Sequence, residues 1–326
     1  MSNMHYVFYG AGAIGGSIAA RLALNLCQVT LIARGAHCEQ IQQFGLHYQS
    51  PSEEKRLDLD CVKHPAEIAW RPDHVVFLTM KSQDTQAALI ELSRSAPADI
   101  GVICCQNGVN NEAEALRFFK NVYAMVVLLP ATHLSAGSVI HTAEHPGGIL
   151  DLGRFPTGID TTCKQVASDL QTAGFLCTPD AQVMRWKYTK LLQNLGNVLQ
   201  VLMGVDAHYG DLPKRLKLEA LSCFRAAGID SVSREETNKH FRQVITLKGS
   251  AASRGGGSTW QGVVRGNDTV ETPFLNGEIS YLGRTQGIAT PANDTMTKLV
   301  NKMLSKDQPA GSYSLDDLET AINRAL

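Results

Sequence analysis

The chain has no surplus of either charge. Its 326 residues carry 30 Lys+Arg against 31 Asp+Glu, which argues against nucleic acid or an anionic membrane as the main partner. No apolar run comes near the ~20 residues that a membrane-spanning helix needs. The first strand-like segment opens within a few residues of the start, so no secretory signal peptide is expected. The 8 cysteines show no metal-ligand spacing. They sit in apolar surroundings, where a thiol behaves as a small hydrophobe, and a reduced cytoplasmic protein without a bound metal is the simplest expectation. There is no internal repeat and no low-complexity stretch beyond a Ser/Gly-rich run at 249–257. What is present is a 44% apolar share, enough for a sizeable core, over a length that suits two domains. Their expected extents are 1–180 and 181–326.

The first domain is organised around its opening stretch, His5-Tyr-Val-Phe-Tyr-Gly-Ala-Gly-Ala-Ile-Gly-Gly16. A short apolar strand runs into a glycine turn and then a helix. Gly10, Gly12 and Gly15 stand in the G-x-G-x-x-G spacing in the strand–turn–helix setting that gives this motif meaning. Gly10 serves the tight turn, Gly12 lets the backbone approach a pyrophosphate, and Gly15 allows close helix–strand packing. The N–H groups at the helix start, around Ala13 and Ile14, then face the phosphates. The same stretch would serve as a plain glycine turn in an unrelated α/β protein, but its context favours dinucleotide binding.

The strand at 27–33 ends in Arg34-Gly35. A dinucleotide fold that prefers NAD usually carries Asp or Glu there for the ribose hydroxyls. A guanidinium suits the 2′-phosphate of NADP(H) instead. A surface arginine in a turn is the plain alternative. Residues 45–62 look like a hairpin excursion. The strand at 73–81 presents Lys81 at its carboxyl edge, and the strand at 101–105 empties into Gln106-Asn107-Gly108. Ligands of open α/β sheets lie beyond such edges. Lys81 is therefore placed for cofactor or a substrate carboxylate, and Asn107 for the junction of nicotinamide and substrate. Asn107-Gly108 also reads as an ordinary turn dipeptide. Further strands are expected at 122–129, 138–143, 149–153 and 175–178, with a helix at 161–173. The alternation predicts a doubly wound sheet with some antiparallel additions.

From Asp180 the pattern turns helical. A helix over 183–203 places Trp186, Lys190, Asn194 and Asn197 on one narrow face. Such polar groups on an otherwise apolar helix are costly without partners or a ligand. A solvated stripe is the alternative, but this one holds no Asp or Glu. Lys187 lies near the same face, and spacing alone does not choose between the two lysines. Lys190 has Asn194 as its i+4 neighbour whereas Lys187 has Leu191, so Lys187 is expected to point to solvent. Helices follow at 212–227, 234–248 and 293–304. Pro273 marks another helix start, with Glu271 just before it as a capping acid or a carboxylate aimed at a ligand. Ser314 opens a last amphipathic helix.

Taken in order, Gly10-Ala-Gly-Ala-Ile-Gly-Gly16, Arg34, Met80-Lys81, Gln106-Asn107-Gly108, Lys190-Leu-Leu-Gln-Asn194, Ser258 with Gln261, and Glu271…Asn276-Gly277 resemble the ketopantoate reductases (2-dehydropantoate 2-reductases) over essentially the whole chain. The resemblance implies an α/β protein. Its N-terminal part is a Rossmann-type doubly wound sheet, and an all-helical C-terminal domain of the 6-phosphogluconate dehydrogenase-like type follows. It implies an NADP-dependent oxidoreductase that reduces a 2-keto acid to a 2-hydroxy acid with NADPH. Lys190 and Glu271 would then be catalytic. Asn107, Asn194, Asn197 and Ser258 would bind substrate. Gly10, Gly12, Ala13, Ile14, Gly15, Arg34, Lys81 and Asn107 would bind cofactor. The partner is a small keto acid, and there is room for a homodimer. The chain departs from the family at Thr272-Pro273, where an acid or amide is common, and at Val198, where a second asparagine is expected. Two alternatives accompany this reading. One is a related β-hydroxy-acid dehydrogenase, and the other is an NADPH-binding sensor without turnover.

Overall fold

The structure, a computed structural model, describes residues 4–241, 257–264, 266 and 269–325, without the side chains of Phe241, Ser258 and Gln261. The expected helix end at 248, the glycine-rich run up to residue 256, Arg265 and Asn267-Asp268 lie outside the described residues.

The chain divides into two compact units. The first comprises residues 1–107, 111–187 and 233–249, and the second 108–110, 188–232 and 250–326. In chain order the first unit holds β1 (His5–Tyr9), α1 (Ala13–Leu24), β2 (Gln28–Ile32), α2 (Gly35–Phe44), β3 (Leu46–Gln49), β4 (Glu54–Leu57), β5 (Asp60–Val62) and β6 (His74–Leu78). Then come α3 (Ser82–Ser93), β7 (Gly101–Cys104), α4 (Asn111–Ala115), β8 (Asn121–Met125), β9 (Ala131–Thr132), β10 (Ser138–His141), β11 (Leu152–Arg154) and α5 (Thr161–Thr172). The helix α6 (Val183–Asn194) begins in the first unit and ends in the second. The rest are α7 (Asn197–Met203), α8 (Leu212–Ala226), α9 (Arg234–Phe241), α10 (Ser258–Val264), α11 (Thr272–Gln286), α12 (Pro291–Leu304) and α13 (Leu315–Asn323).

The main sheet has 7 strands in the order β11-β8-β7-β6-β1-β2-β5. It is parallel except at β11, which runs antiparallel to β8. The period of two along β1 explains the double winding. Tyr6 and Phe8 point to the face covered by Ile18 and Leu22 of α1, Ile41 of α2 and Leu170 of α5. Val7 and Tyr9 point to the face covered by Leu89 and Leu92 of α3 and Ala115 of α4. Phe8 and Phe77 stack at 4.7 Å with no exposure, each worth about 2–3 kcal/mol of burial. The chain winds from β1 outward to β2 and then returns to place β6 on the other side of β1. That reversal makes the carboxyl ends of β1 and β6 a topological switch point, the place where such sheets bind ligands.

Two strand expectations change. The excursion at 45–62 is a hairpin only through β3 and β4, which belong to a 4-stranded sheet with β10 and β9. The segment β5 leaves it and pairs parallel with β2, because Cys61 packs its sulfur 3.3 Å from Cys38 of α2. No strand forms at 175–178, where only isolated bridges occur at Leu176 and Pro179. Pro179 has no N–H to give, and the Thr178 N–H is taken by the Asp151 carboxylate at 2.7 Å, so the ladder is interrupted.

In the second unit α11 packs on α8 and α12, and α7 on α10 and α12. Glu219 of α8 caps α12, accepting from the N–H groups of Ala292 and Asn293 at 2.8 and 3.0 Å. The expected helix over 183–203 is two helices. Leu199 donates to the Gly196 carbonyl in a tightened turn, which frees the carbonyl of Leu195. The buried Asn276 amide donates to that carbonyl at 3.2 Å and to Asn293 Oδ1 at 3.0 Å. Asn276 thus stabilises the break and fixes where Asn197 begins α7.

Candidate functional site

The glycine turn follows β1, and its geometry explains each residue. Gly10 has φ +108°, and a Cβ there would stand 2.9 Å from the Met80 nitrogen. A Cβ on Gly15 would overlap the Gly10 carbonyl oxygen at 2.1 Å and Thr79 Oγ1 at 2.4 Å. Thr79, after β6, holds the turn by donating to the Gly10 and Tyr9 carbonyls at 2.6 and 3.1 Å. His37 holds it from the other side. Its Nε2 lies 2.8 Å from the Ala11 carbonyl, and its Nδ1 accepts from the Gly137 N–H at 2.8 Å. Burial keeps His37 below its ordinary pKa, which suits a ring that both donates and accepts. At Gly12 the space a Cβ would fill is open to 4 Å. No side chain caps α1, and its first turn carries no acid. Open backbone at an uncapped helix start fits a pyrophosphate, and Ala13 and Ile14 are the first residues of that helix.

Arg34 is the N-cap residue of α2, just past the end of β2. Its side chain is 64% exposed and stands 3.9 Å from Glu91, which in turn accepts from the Tyr9 phenol. Lys81 is the N-cap residue of α3. Its Nζ is buried and has no hydrogen-bond partner among the described residues. A buried ammonium without an acceptor fits a site that receives an anionic group. Asn107 follows β7, with its side-chain amide unbonded among the described residues. Its backbone carbonyl accepts from Asn111 Nδ2 at 3.2 Å and Ser82 Oγ at 3.4 Å. The structure therefore brings Gly10, Gly12, Gly15, Lys81 and Asn107 to the carboxyl ends of β1, β6 and β7, with Arg34 at the end of β2.

Lys187 corrects the sequence-based expectation. It does not point to solvent. It is 3% exposed, and its Nζ donates to Glu112 Oε1 at 2.5 Å and to the Gln106 carbonyl at 3.0 Å. Spacing along one helix did not reveal Glu112, which is distant in sequence and fully buried.

In the second unit Lys190 and Asn194 lie one turn apart on α6. Lys190 is half-buried, and its ammonium has no hydrogen bond or ion pair among the described residues. Desolvation lowers its pKa from 10.5 to about 8. Asn194 is 7% exposed, and its Nδ2 is buried without a partner among the described residues. Asn197 starts α7 instead of continuing the α6 face. A Cβ on Gly257 would stand 3.4 Å from Asn197 Oδ1, and the Gly257 N–H donates to Gln200 Oε1 at 2.6 Å. Ser258 opens α10, and its side chain lies outside the described residues. Glu271 is buried at the N-cap of α11, but its side chain does not cap that helix. Val198 is 1% exposed and belongs to the core.

Residues that the linear pattern did not single out are Thr79, His37, Asn111, Glu112 and Gln200. Only Thr79, on a strand's carboxyl edge, had a signal that could have found it. Among the described residues no helix is long and apolar enough to cross a membrane, and no group of three or more His, Cys, Asp or Glu is arranged to hold a metal.

The family described as ketopantoate reductase PanE/ApbA matches residues 6–156, and its C-terminal part matches residues 182–304. The 2-dehydropantoate 2-reductase of Archaeoglobus fulgidus is 25% identical over 300 residues, covering 89% of this chain and 95% of that protein. The enzyme of the same name from Pyrococcus horikoshii is 25% identical over 302 residues, covering 91% and 96%. Among solved structures, a PanE/ApbA family ketopantoate reductase from Ralstonia eutropha superposes with a TM-score of 0.77 at 24% identity, over 93% of this chain and 99% of that one. A D-mandelate dehydrogenase bound to NADH and anilino(oxo)acetate gives 0.78 at 22% identity, over 93% and 99%. With both parts of the family matched in order on a Rossmann-type sheet and a helical unit, the chain belongs to the PanE/ApbA ketopantoate reductase family and is a nicotinamide-dependent oxidoreductase acting on the CH–OH group.

Proposed function

We propose that the protein uses NADPH to reduce a 2-keto acid to a 2-hydroxy acid, with 2-dehydropantoate as substrate and pantoate as product. The observation that carries this reading is the pair on α6. One turn separates an ammonium at a pKa of about 8 from a buried amide donor, and neither has a partner among the described residues. Unsatisfied buried donors are costly in the free protein. A 2-keto acid, with a carbonyl and a carboxylate side by side, brings the oxygens they lack. The names carried by the relatives support the same substrate.

The cofactor reading rests on the first unit. Gly10, Gly12, Ala13, Ile14 and Gly15 would hold the pyrophosphate, Arg34 the 2′-phosphate, and Lys81 and Asn107 the nicotinamide end. When bound, the dihydronicotinamide supplies a hydride to the substrate carbonyl carbon. Lys190 acts at the carbonyl oxygen. Its ammonium stabilises the negative charge that develops there and gives up one proton, so the product is an alcohol and the lysine is left neutral. Water then returns that proton. Asn194, Asn197 and Ser258 hold the carboxylate through neutral donors, and Glu271 accepts a hydrogen bond from the product hydroxyl. The functional division lies at residues 180–181, with cofactor binding before it and catalysis after it.

A second reading is a 2-keto acid that lacks the terminal hydroxyl of 2-dehydropantoate. Val198 supports it, since an apolar core residue stands where the family's second asparagine is expected. The test is loss of NADPH absorbance with 2-dehydropantoate and with aliphatic and aromatic 2-keto acids, repeated with NADH. Highest kcat/KM with 2-dehydropantoate and NADPH is expected. Preference for an aliphatic or aromatic acid would move the assignment to the second reading. NADPH binding without oxidation by any acid would overturn both and leave a binding protein.

A further inference from the structure

We propose that Lys187 is a positioning residue: together with Glu112 it sets the backbone of Asn107 and so the approach of the substrate to the nicotinamide. This rests on the assignment of Asn107 to that junction. Lys187 and Glu112 are 3% and 0% exposed. Taking both charges out of water is expensive, and an apolar pair of similar volume is often as stable or more so. Their ion pair is therefore weakly explained by stability. Its geometry offers another account.

The Lys187 ammonium divides its bonds between Glu112 and the Gln106 carbonyl. That carbonyl belongs to the same planar peptide as the Asn107 nitrogen, so holding the oxygen holds the plane that enters Asn107. The plane that leaves Asn107 is held as well, because its carbonyl accepts from Asn111 Nδ2 and Ser82 Oγ. Asn111 is itself fixed, accepting from Thr85 Oγ1 at 2.9 Å. The Gln106 side chain ties the turn to the end of β6 by donating to the Met80 carbonyl at 2.9 Å and to Thr85 Oγ1 at 2.7 Å. With both flanking carbonyls held, φ and ψ of Asn107 are restrained, while its side-chain amide is unbonded among the described residues. A rigid backbone presenting a free amide is what precise contact with a ligand requires. Glu112 Oε2 has no partner among the described residues, so its bond to Lys187 is its anchor and supplies the ammonium's counter-charge.

Lys187→Met/Glu112→Met removes both charges together, so neither is stranded. It is compared with wild type and Asn107→Ala in melting temperature, NADPH titration and steady-state kinetics with 2-dehydropantoate. The double variant should melt like wild type and bind NADPH within about twofold, while KM rises roughly tenfold, the scale of one lost charge-assisted hydrogen bond. Adding Asn107→Ala to it should raise KM little further, because both changes break one unit. Lys187→Gln/Glu112→Gln keeps a donor toward Gln106 without charge and should bring KM back near wild type. Should the first pair fail to fold, Lys187→Leu/Glu112→Gln removes the same donor and carries the same expectations. A wild-type KM in the folded double variant, with a raised KM in Asn107→Ala, overturns the positioning role and leaves Asn107 at the junction. An unchanged KM in Asn107→Ala overturns both.

Discussion

Lys190→Met removes an ammonium and keeps an unbranched side chain of similar length. The gap between an ordinary lysine at 10.5 and this one at about 8 is worth roughly 2–3 kcal/mol against the charged form, once solvent screening of a half-buried group is allowed for. Two consequences follow from that one quantity. In catalysis, if Lys190 is the general acid, its loss should lower kcat by ~10²–10⁴-fold with NADPH still bound. The wild-type kcat/KM profile reports the free enzyme, so it should fall above a pH of about 8. The substrate carboxylate beside the ammonium favours the charged form, so the kcat profile should fall at higher pH. In stability, the folded pKa lies below the unfolded one. Between about 8 and 10.5 the unfolded chain binds more protons, and stability rises with pH across that window. Below it the folded state carries the full penalty. Lys190→Met should therefore melt a few degrees higher than wild type near pH 7 and lose the rise. Steady-state rates and melting curves from pH 6 to about 10.5 test both consequences. A variant with kcat within about fivefold of wild type, or with the basic limb unmoved, refutes the general-acid role. A variant that melts lower refutes the unpartnered ammonium.

Arg34→Asp should weaken NADPH binding by roughly 1.5–3 kcal/mol and barely change NADH binding; equal affinity of wild type for the two cofactors would sink the 2′-phosphate assignment. Gly15→Ala should abolish NADPH binding and lower the melting temperature, because its Cβ would lie 2.1 Å from the Gly10 carbonyl oxygen; a normal titration would show that the turn has another geometry in solution. Asn194→Leu should stabilise the free protein by about 1–3 kcal/mol, the cost of a stranded buried donor, and raise KM for the keto acid. Lower stability in denaturant melts would mean that the donor is already satisfied.

The fold was legible where the signal was local. The alternation of Tyr6, Val7, Phe8 and Tyr9 and the glycine spacing define β1 and α1 without any tertiary information. Ser314 shows its capping box with Asp317, its side chain accepting from the Asp317 N–H. Signals that depend on distant partners were not legible. The segment at 175–178 has strand-like composition, but the Asp151 carboxylate takes one of its N–H groups. The break after Asn194 is set by Asn276, far along the chain, which takes the carbonyl of Leu195. Neither competitor is visible from its own segment.

The two lysines of α6 show the same limit at the level of chemistry. Helical periodicity says which side chains share a face, not what that face meets. The i+4 amide favoured Lys190, and the structure adds that its ammonium is desolvated and has no counter-ion among the described residues. Lys187 looked like the solvent-facing member because its i+4 neighbour is Leu191. Burial was compatible with that neighbour all along, provided a carboxylate arrived from elsewhere, and Glu112 supplies it. The Lys187 ammonium is already committed to a carboxylate and a backbone carbonyl. The Lys190 ammonium, desolvated and without a partner among the described residues, holds its proton less tightly. The different surroundings of two lysines three positions apart thus come from a single long-range carboxylate, which pairs with Lys187. Moving that carboxylate, not the lysines, is the change that would blur the difference between them.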